Sequence, residues 1–129
     1  MTVPFWCLFI GALIPTLLAF TGGYFKAQQF ENVDNNNPRQ QSAQLTGAGA
    51  RAVAAQGNAW EALAVFTAAV AVNSLGGGDP GTAATMSGIW LVARIVHAGA
   101  YLADKAPLRS LSFLVGTVCA ITLFLGPAF

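Results

Sequence analysis

The chain has 129 residues, of which 55% are hydrophobic and 9% charged, with a net charge of +1. A soluble domain carries about 25% charged residues, so this chain lacks the polar surface of one, and its mean hydropathy of +0.59 agrees. The near-neutral balance leaves no electrostatic footprint for nucleic acid, and the length suits a single integral membrane domain over residues 1–129.

A membrane-spanning helix needs about 20 mostly apolar residues, and four segments qualify. Backbone polar groups inside lipid must be satisfied locally, so these segments are expected to be helices and the fold class all-α. The first covers 3–25, with Pro4 near its start and a kink predicted at Pro15. No charge precedes Lys26 and the apolar run outlasts a secretory core, so it is read as a retained span. Trp6 reads as an interfacial anchor and Lys26 as a cation snorkelling to the interface. Residues 26–50 form one long polar loop, with turn formers clustered in "DNNNPR".

The second span covers 51–75 and carries "NAWEALAVF". After it, "GGGDPG" at 76–81 is a tight turn; no strand precedes it and no Gly-Lys-Ser/Thr follows, so it is no phosphate loop. The third span covers 82–103, the basic loop "DKAPLR" follows, and the fourth span covers 108–129. Cys7 and Cys119 both lie in apolar runs and read as buried hydrophobes. Basic residues flank loops one and three and are missing from loop two, which predicts that loops one and three are cytoplasmic. A bacterial inner membrane is the favoured location.

Polar residues on the spans fall into stripes. At about 100° per residue, Arg51, Asn58 and Glu61 share an arc of about 80° on span two, and Arg94, His97 and Tyr101 an arc of about 60° on span three. Spans two and three run in opposite directions, which brings the stripes to similar depth near the cytoplasmic side. Lys26, Arg51, Arg94, Lys105 and Arg109 are then expected around one inner cavity, with Glu61 as its acid. Each charge within a span costs roughly 2.5–3.5 kcal/mol at the centre. Two readings follow: a structural pair of Glu61 with Arg94 or Arg51, or a site for an anionic polar ligand. One His with one Glu and no second His or Cys is poor metal chemistry, so no metal site is assigned. His97 and Trp90 each also read as packing residues. Small residues at helical spacing, Ala64, Ala68 and Val72, suit close helix packing within the chain or between copies.

Three motifs carry a resemblance: "NAWEALAVF" on span two, "RIVHAGAYL" on span three, and "APLRS" opening span four. The chain resembles the MAPEG family, membrane-associated proteins in eicosanoid and glutathione metabolism. Its Arg-x-x-His-x-x-x-Tyr stretch is similar to that of the microsomal glutathione transferase and prostaglandin E synthase type branch. The resemblance implies an integral membrane four-helix bundle that assembles as a homotrimer, with glutathione as co-substrate between subunits. It implies binding by Arg51, Asn58, Glu61, Arg94, His97 and Tyr101, with Glu61 on the amino group. It implies catalysis by Arg109, Tyr101 and Ser110, Arg109 lying near the sulfur. The sequence departs from the pattern at Ala54, where many glutathione-using members carry arginine, and at Gly57, where some do. Arg51, one turn further along, would substitute in part.

The expected function is a glutathione-dependent transferase or peroxidase acting on a lipophilic small-molecule substrate arriving from the lipids. The alternative is a non-catalytic accessory subunit of a larger membrane complex. A weaker third reading is a transporter with Glu61 and His97 as proton relay.

Overall fold

The computed structural model describes residues 1–128. Its helices are α1 (Val3–Gln29), α2 (Pro38–Ser42), α3 (Gly47–Gly76), α4 (Pro80–Leu102) and α5 (Ala106–Leu125), closed by a 3₁₀ turn at Gly126–Ala128. The expected segments 3–25, 51–75 and 82–103 fall on α1, α3 and α4, with ends displaced by a few residues. The fourth, 108–129, falls on α5 and the 3₁₀ turn, and its last residue lies outside the described ones. α1 runs unbroken through Pro15, whose ring is fully buried.

Among the described residues, three segments are long and apolar enough to cross a membrane: α1, α3 and Ala106–Ala128. α4 has 23 residues, a length of about 35 Å. It does not join that set because Arg94 and His97, with its small polar residues, hold its hydropathy down. The long polar loop at 26–50 also differs from expectation, since it contains α2. Lys26 is nearly buried; its Nζ donates to the Pro38 carbonyl at 2.7 Å and ties α2 to α1. The turn-former cluster does form a turn: the Asp34 carboxylate accepts from the backbone N–H groups of Asn36 and Asn37. Asn37 first, then Asn36, holds the Asp34 carboxyl below its ordinary range.

α4 packs against α5 and α1 against α3; α1 also touches α4, α3 touches α5, and α3 meets α4 across the middle. Near the loop-two end the core is built on Phe66 and Trp90, whose rings stack at 3.7 Å with 6° between planes. Gly11 permits this, because a Cβ there would lie 2.8 Å from the Trp90 ring. Trp90 is thus a packing residue. Cys7 and Cys119 are buried free cysteines in the same cluster. A second cluster joins Leu18, Ala55 and Ala59 with Tyr101 nearer the loop-one end.

A buried amide locks the loop-two end. Leu123 is four residues before Pro127, which has no N–H to give its carbonyl. Asn73, 3% exposed, supplies the missing donor, its Nδ2 lying 3.1 Å from that carbonyl. Gly77 ends α3 at φ 78°, and Gly78 then folds directly over the Asn73 amide, with no room for a Cβ. Asp79 opens α4, its carboxylate accepting from the Thr82 backbone N–H at 2.7 Å. That bond holds the Asp79 carboxyl below the usual carboxylate range.

Two outcomes are expected. Asn73→Ala leaves the Leu123 carbonyl unpaired and costs about 1–3 kcal/mol of stability. Gly78→Ala displaces the same amide, so the double variant loses less than the sum of the two, read by thermal unfolding in detergent. Asp79 has a depressed value, so its stabilisation is present above the ordinary carboxylate value of about 3.9 and is lost as pH falls through the folded value. Asp79→Ala therefore lowers the melting temperature at neutral pH, and the deficit relative to the unaltered protein closes in acid.

Candidate functional site

The polar residues of α3 and α4 meet because the two helices run antiparallel side by side: Phe66 stacks on Trp90, Asn58 meets Arg94, and Arg51 reaches the Leu102 carbonyl. Arg94 is 4% exposed, and its Nη2 donates to Asn58 Oδ1 at 2.7 Å and to the Asn58 carbonyl at 3.5 Å. A guanidinium only donates, so it fixes the Asn58 amide with its oxygen inward and leaves Nδ2 free for a ligand. His97, 3% exposed, lies one turn on and places Nδ1 3.4 Å from the same Arg94 nitrogen. In that contact Arg94 donates and the imidazole accepts, which requires the tautomer with the proton on Nε2.

The chain of contacts continues towards loop three. His97 meets Tyr101 edge to face at 5.4 Å, and the Arg109 guanidinium lies 4.6 Å above the Tyr101 ring. A cation over an aromatic face is attracted by the ring quadrupole. Asn58, Arg94, His97, Tyr101 and Arg109 thus form one connected series across α3, α4 and α5.

One cavity of about 250 Å³ opens beside this series, lined by Asn58, Glu61 and Arg94 at its polar end. Val65, Trp90 and Ile121 line its apolar end. α5 closes one wall with Phe113, Thr117 and Ile121, spaced four apart on one helix face. Ser110 is exposed one turn before Phe113 and does not line the cavity.

The remaining expected residues stand elsewhere. Arg51 Nε donates to the Leu102 carbonyl at 3.4 Å, and its Nη1 lies 3.6 Å from the Asp104 carboxylate. It caps the C-terminal end of α4, where Asp104 sits at φ 58°, a conformation aspartate tolerates better than most residues. His97, Tyr101 and Arg109 stand behind the cavity wall rather than on it. The expected pairing of Glu61 with Arg94 or Arg51 is not formed: among the described residues the ion pair is Arg51 with Asp104. The expected ring of five bases is corrected likewise, since Arg94 is the one base on the wall.

Glu61 is exposed on the outer face of α3. Ala54, Gly57, Ala64, Ala68 and Val72 share that exposed face, so the small-residue stripe is left open among the described residues. The α5 wall was missed by reasoning from polar residues, because Phe113, Gly116 and Ala120 carry no polar signal. The four-residue spacing of Phe113, Thr117 and Ile121 was the available clue. The role of Asn73 has no local signal, because the Leu123 carbonyl it meets is 50 residues away along the chain.

No curated protein matches the chain by sequence. The pattern that defines the MAPEG family, in contrast, matches residues 3–129. That match takes in every helix described above together with the cavity between α3, α4 and α5, and the chain belongs to the MAPEG family.

Proposed function

We propose that the chain is a membrane-bound, glutathione-dependent transferase or peroxidase acting on lipophilic electrophiles. The family includes glutathione transferases. The observation that carries the reading is the cavity whose polar end holds Glu61, Asn58 and Arg94 and whose other end is apolar. The polar end takes the peptide of a thiol: Glu61 its ammonium, Arg94 a carboxylate, Asn58 Nδ2 a carbonyl. The apolar end takes the hydrocarbon of a substrate that enters sideways from the bilayer.

The thiol must lose a proton before it attacks. An ordinary thiol has a pKa of about 8.5, and nearby positive charge lowers it. Arg109 stands in the first turn of α5, where its charge adds to the positive end of the helix dipole. The Tyr101 ring beneath the guanidinium holds it in place, and Ser110 is the next residue on α5. A thiolate near this cluster would attack the electrophile directly, with Arg109 as its counter-ion.

The assembly proposed is a four-span homotrimer resembling the prostaglandin E synthase branch. α4 also crosses, making four spans in all, because Arg94 and His97 are buried among the other helices and need not face lipid. The support for copies packing together is the α3 face, where small residues surround an exposed carboxylate. A carboxylate facing hydrocarbon is costly, and small residues permit close helix approach. Loops one and three are placed in the cytoplasm of a bacterial inner membrane. The apolar groove between α4 and α5, lined by Ile89, Val92, Leu108 and Leu111, holds lipid chains.

A second reading, an accessory subunit of a larger membrane complex, is favoured by Arg51. Its engagement with Asp104 and the α4 end removes it from the site. Glutathione binding to the purified protein separates the two. Under the enzyme reading Glu61→Gln weakens binding by roughly 10–100-fold, the weight of one charge-assisted contact of about 1.5–3 kcal/mol. Arg109→Ala leaves affinity largely unchanged and abolishes the near-ultraviolet thiolate absorbance seen with bound glutathione. Arg51→Ala lowers the melting temperature without changing affinity. Absence of glutathione binding to the unaltered protein sinks the enzyme reading and leaves the accessory one.

A further inference from the structure

A groove of about 410 Å³ runs between α4 and α5 on the side of both helices away from the cavity, and the two hollows share no lining residue. Ile89, Val92 and Val96 form one bank of the groove, and Leu108, Leu111 and Val115 the other. Its polar side chain, Ser112, is already engaged: the hydroxyl donates to the Leu108 and Arg109 carbonyls at 2.8 and 3.0 Å. An occupant therefore meets hydrocarbon and no free polar side chain.

The two ends of the groove differ. Gly88, at one end, stands about 12 Å in from the loop-two end of α4, within the hydrocarbon. The other end opens at loop three. There the α4 bank continues past Val96 through Gly99 and Ala103, both exposed, and a Cβ on Gly99 would meet nothing within 4 Å. The α5 bank continues back to Lys105, three residues before Leu108 and seven before Ser112, and so on the same face.

Lys105 is exposed and makes no ion pair among the described residues. Its neighbour Asp104 would neutralise it, but that carboxylate is held 3.6 Å from Arg51 Nη1 on the α3 side. Arg109 is engaged over the Tyr101 ring. The open end of the groove thus carries one uncompensated ammonium.

A hydrocarbon slot with a cation at its wet end complements an amphiphile with an anionic head. The chain lies along the groove and the head meets Lys105 where α5 leaves the bilayer. A zwitterionic head brings its own cation beside Lys105 and loses most of that attraction. A second copy is a poorer match, because α1, the chain's most apolar span, has no acid to bring to Lys105.

We infer that the α4–α5 groove is a binding site for an anionic phospholipid, with an acyl chain between Val92 and Leu111 and the phosphate on Lys105. The inference rests on the reading of this groove as a lipid site and is independent of the thiol chemistry of the cavity.

Native mass spectrometry of the purified protein, titrated with dioleoyl phosphatidylglycerol or dioleoyl phosphatidylcholine, reads lipid affinity and oligomeric state together. The unaltered protein is expected to bind its first phosphatidylglycerol about five-fold tighter than phosphatidylcholine, the effect of one lysine at a membrane surface. Lys105→Gln, at an exposed position, is expected to bring the two lipids to the same affinity. Gly88→Leu places its side chain in the groove, from a point where a Cβ meets open space, and is expected to weaken both lipids. Equal binding of the two lipids to the unaltered protein, or a preference that survives Lys105→Gln, overturns the inference while the lipid groove stands. A Gly88→Leu protein that binds both lipids as before places them elsewhere and overturns the two together. Loss of the oligomeric state in Gly88→Leu assigns the groove to a second copy and likewise overturns both.

Discussion

The Arg94 guanidinium is nearly buried among helices that offer it almost nothing but hydrocarbon, and it needs a partner. Taking a full charge out of water costs several kcal/mol unless hydrogen bonds replace the lost solvent. Asn58 supplies that bond from α3 and His97 a second from the next turn of α4. The bond to Asn58 joins α3 to α4 at one depth, and the cavity forms beside it. The orientation of the Asn58 amide and the tautomer of His97 both follow from it. The neutral partner matters too. Because Arg94 is held by an amide rather than a carboxylate, its positive charge is not cancelled within the chain, and it remains available to an anion.

The opposite end of the molecule uses the same physics with a different purpose. Pro127 deprives a carbonyl of its usual donor, and Asn73 on α3 replaces it. Both ends therefore pin α3 to a neighbour through a side-chain amide, buried at Asn73 and half-buried at Asn58. Between them lies the Phe66–Trp90 stack, an apolar contact with no polar demands. The site end differs in leaving charge unsatisfied: Glu61 is exposed on an apolar surface, beside small residues that leave the helix backbone accessible. A carboxylate in that position is tolerable only if a ligand or another helix covers it.

Much of the architecture could be read from residues in order. The four hydrophobic segments, the tight turn at "GGGDPG" and the turn at Asp34 are local, set by hydropathy length and by residues that favour turns. The two polar stripes were also local, because helix geometry fixes which residues share a face. Roles were less accessible. Arg51 lies on the same stripe as Asn58 and Glu61, yet it reaches the α4 C-terminus instead, since loop three folds Asp104 and the Leu102 carbonyl within its reach. Lys26 similarly finds a loop carbonyl, because α2 returns against α1. The α5 wall had no polarity to reveal it.

What the chain order fixed was therefore membrane character, helix positions, the stripe on each helix and the motifs of the MAPEG family, since each depends on spacing along one helix or on composition. What the fold decided was which of those charges share a cavity. Arg94 and Glu61 line it while Arg51, Lys26 and Arg109 are held elsewhere. The reason is physical: long basic side chains settle on whichever carbonyl, carboxylate or ring comes within reach, and that depends on how distant loops and helices return to one another.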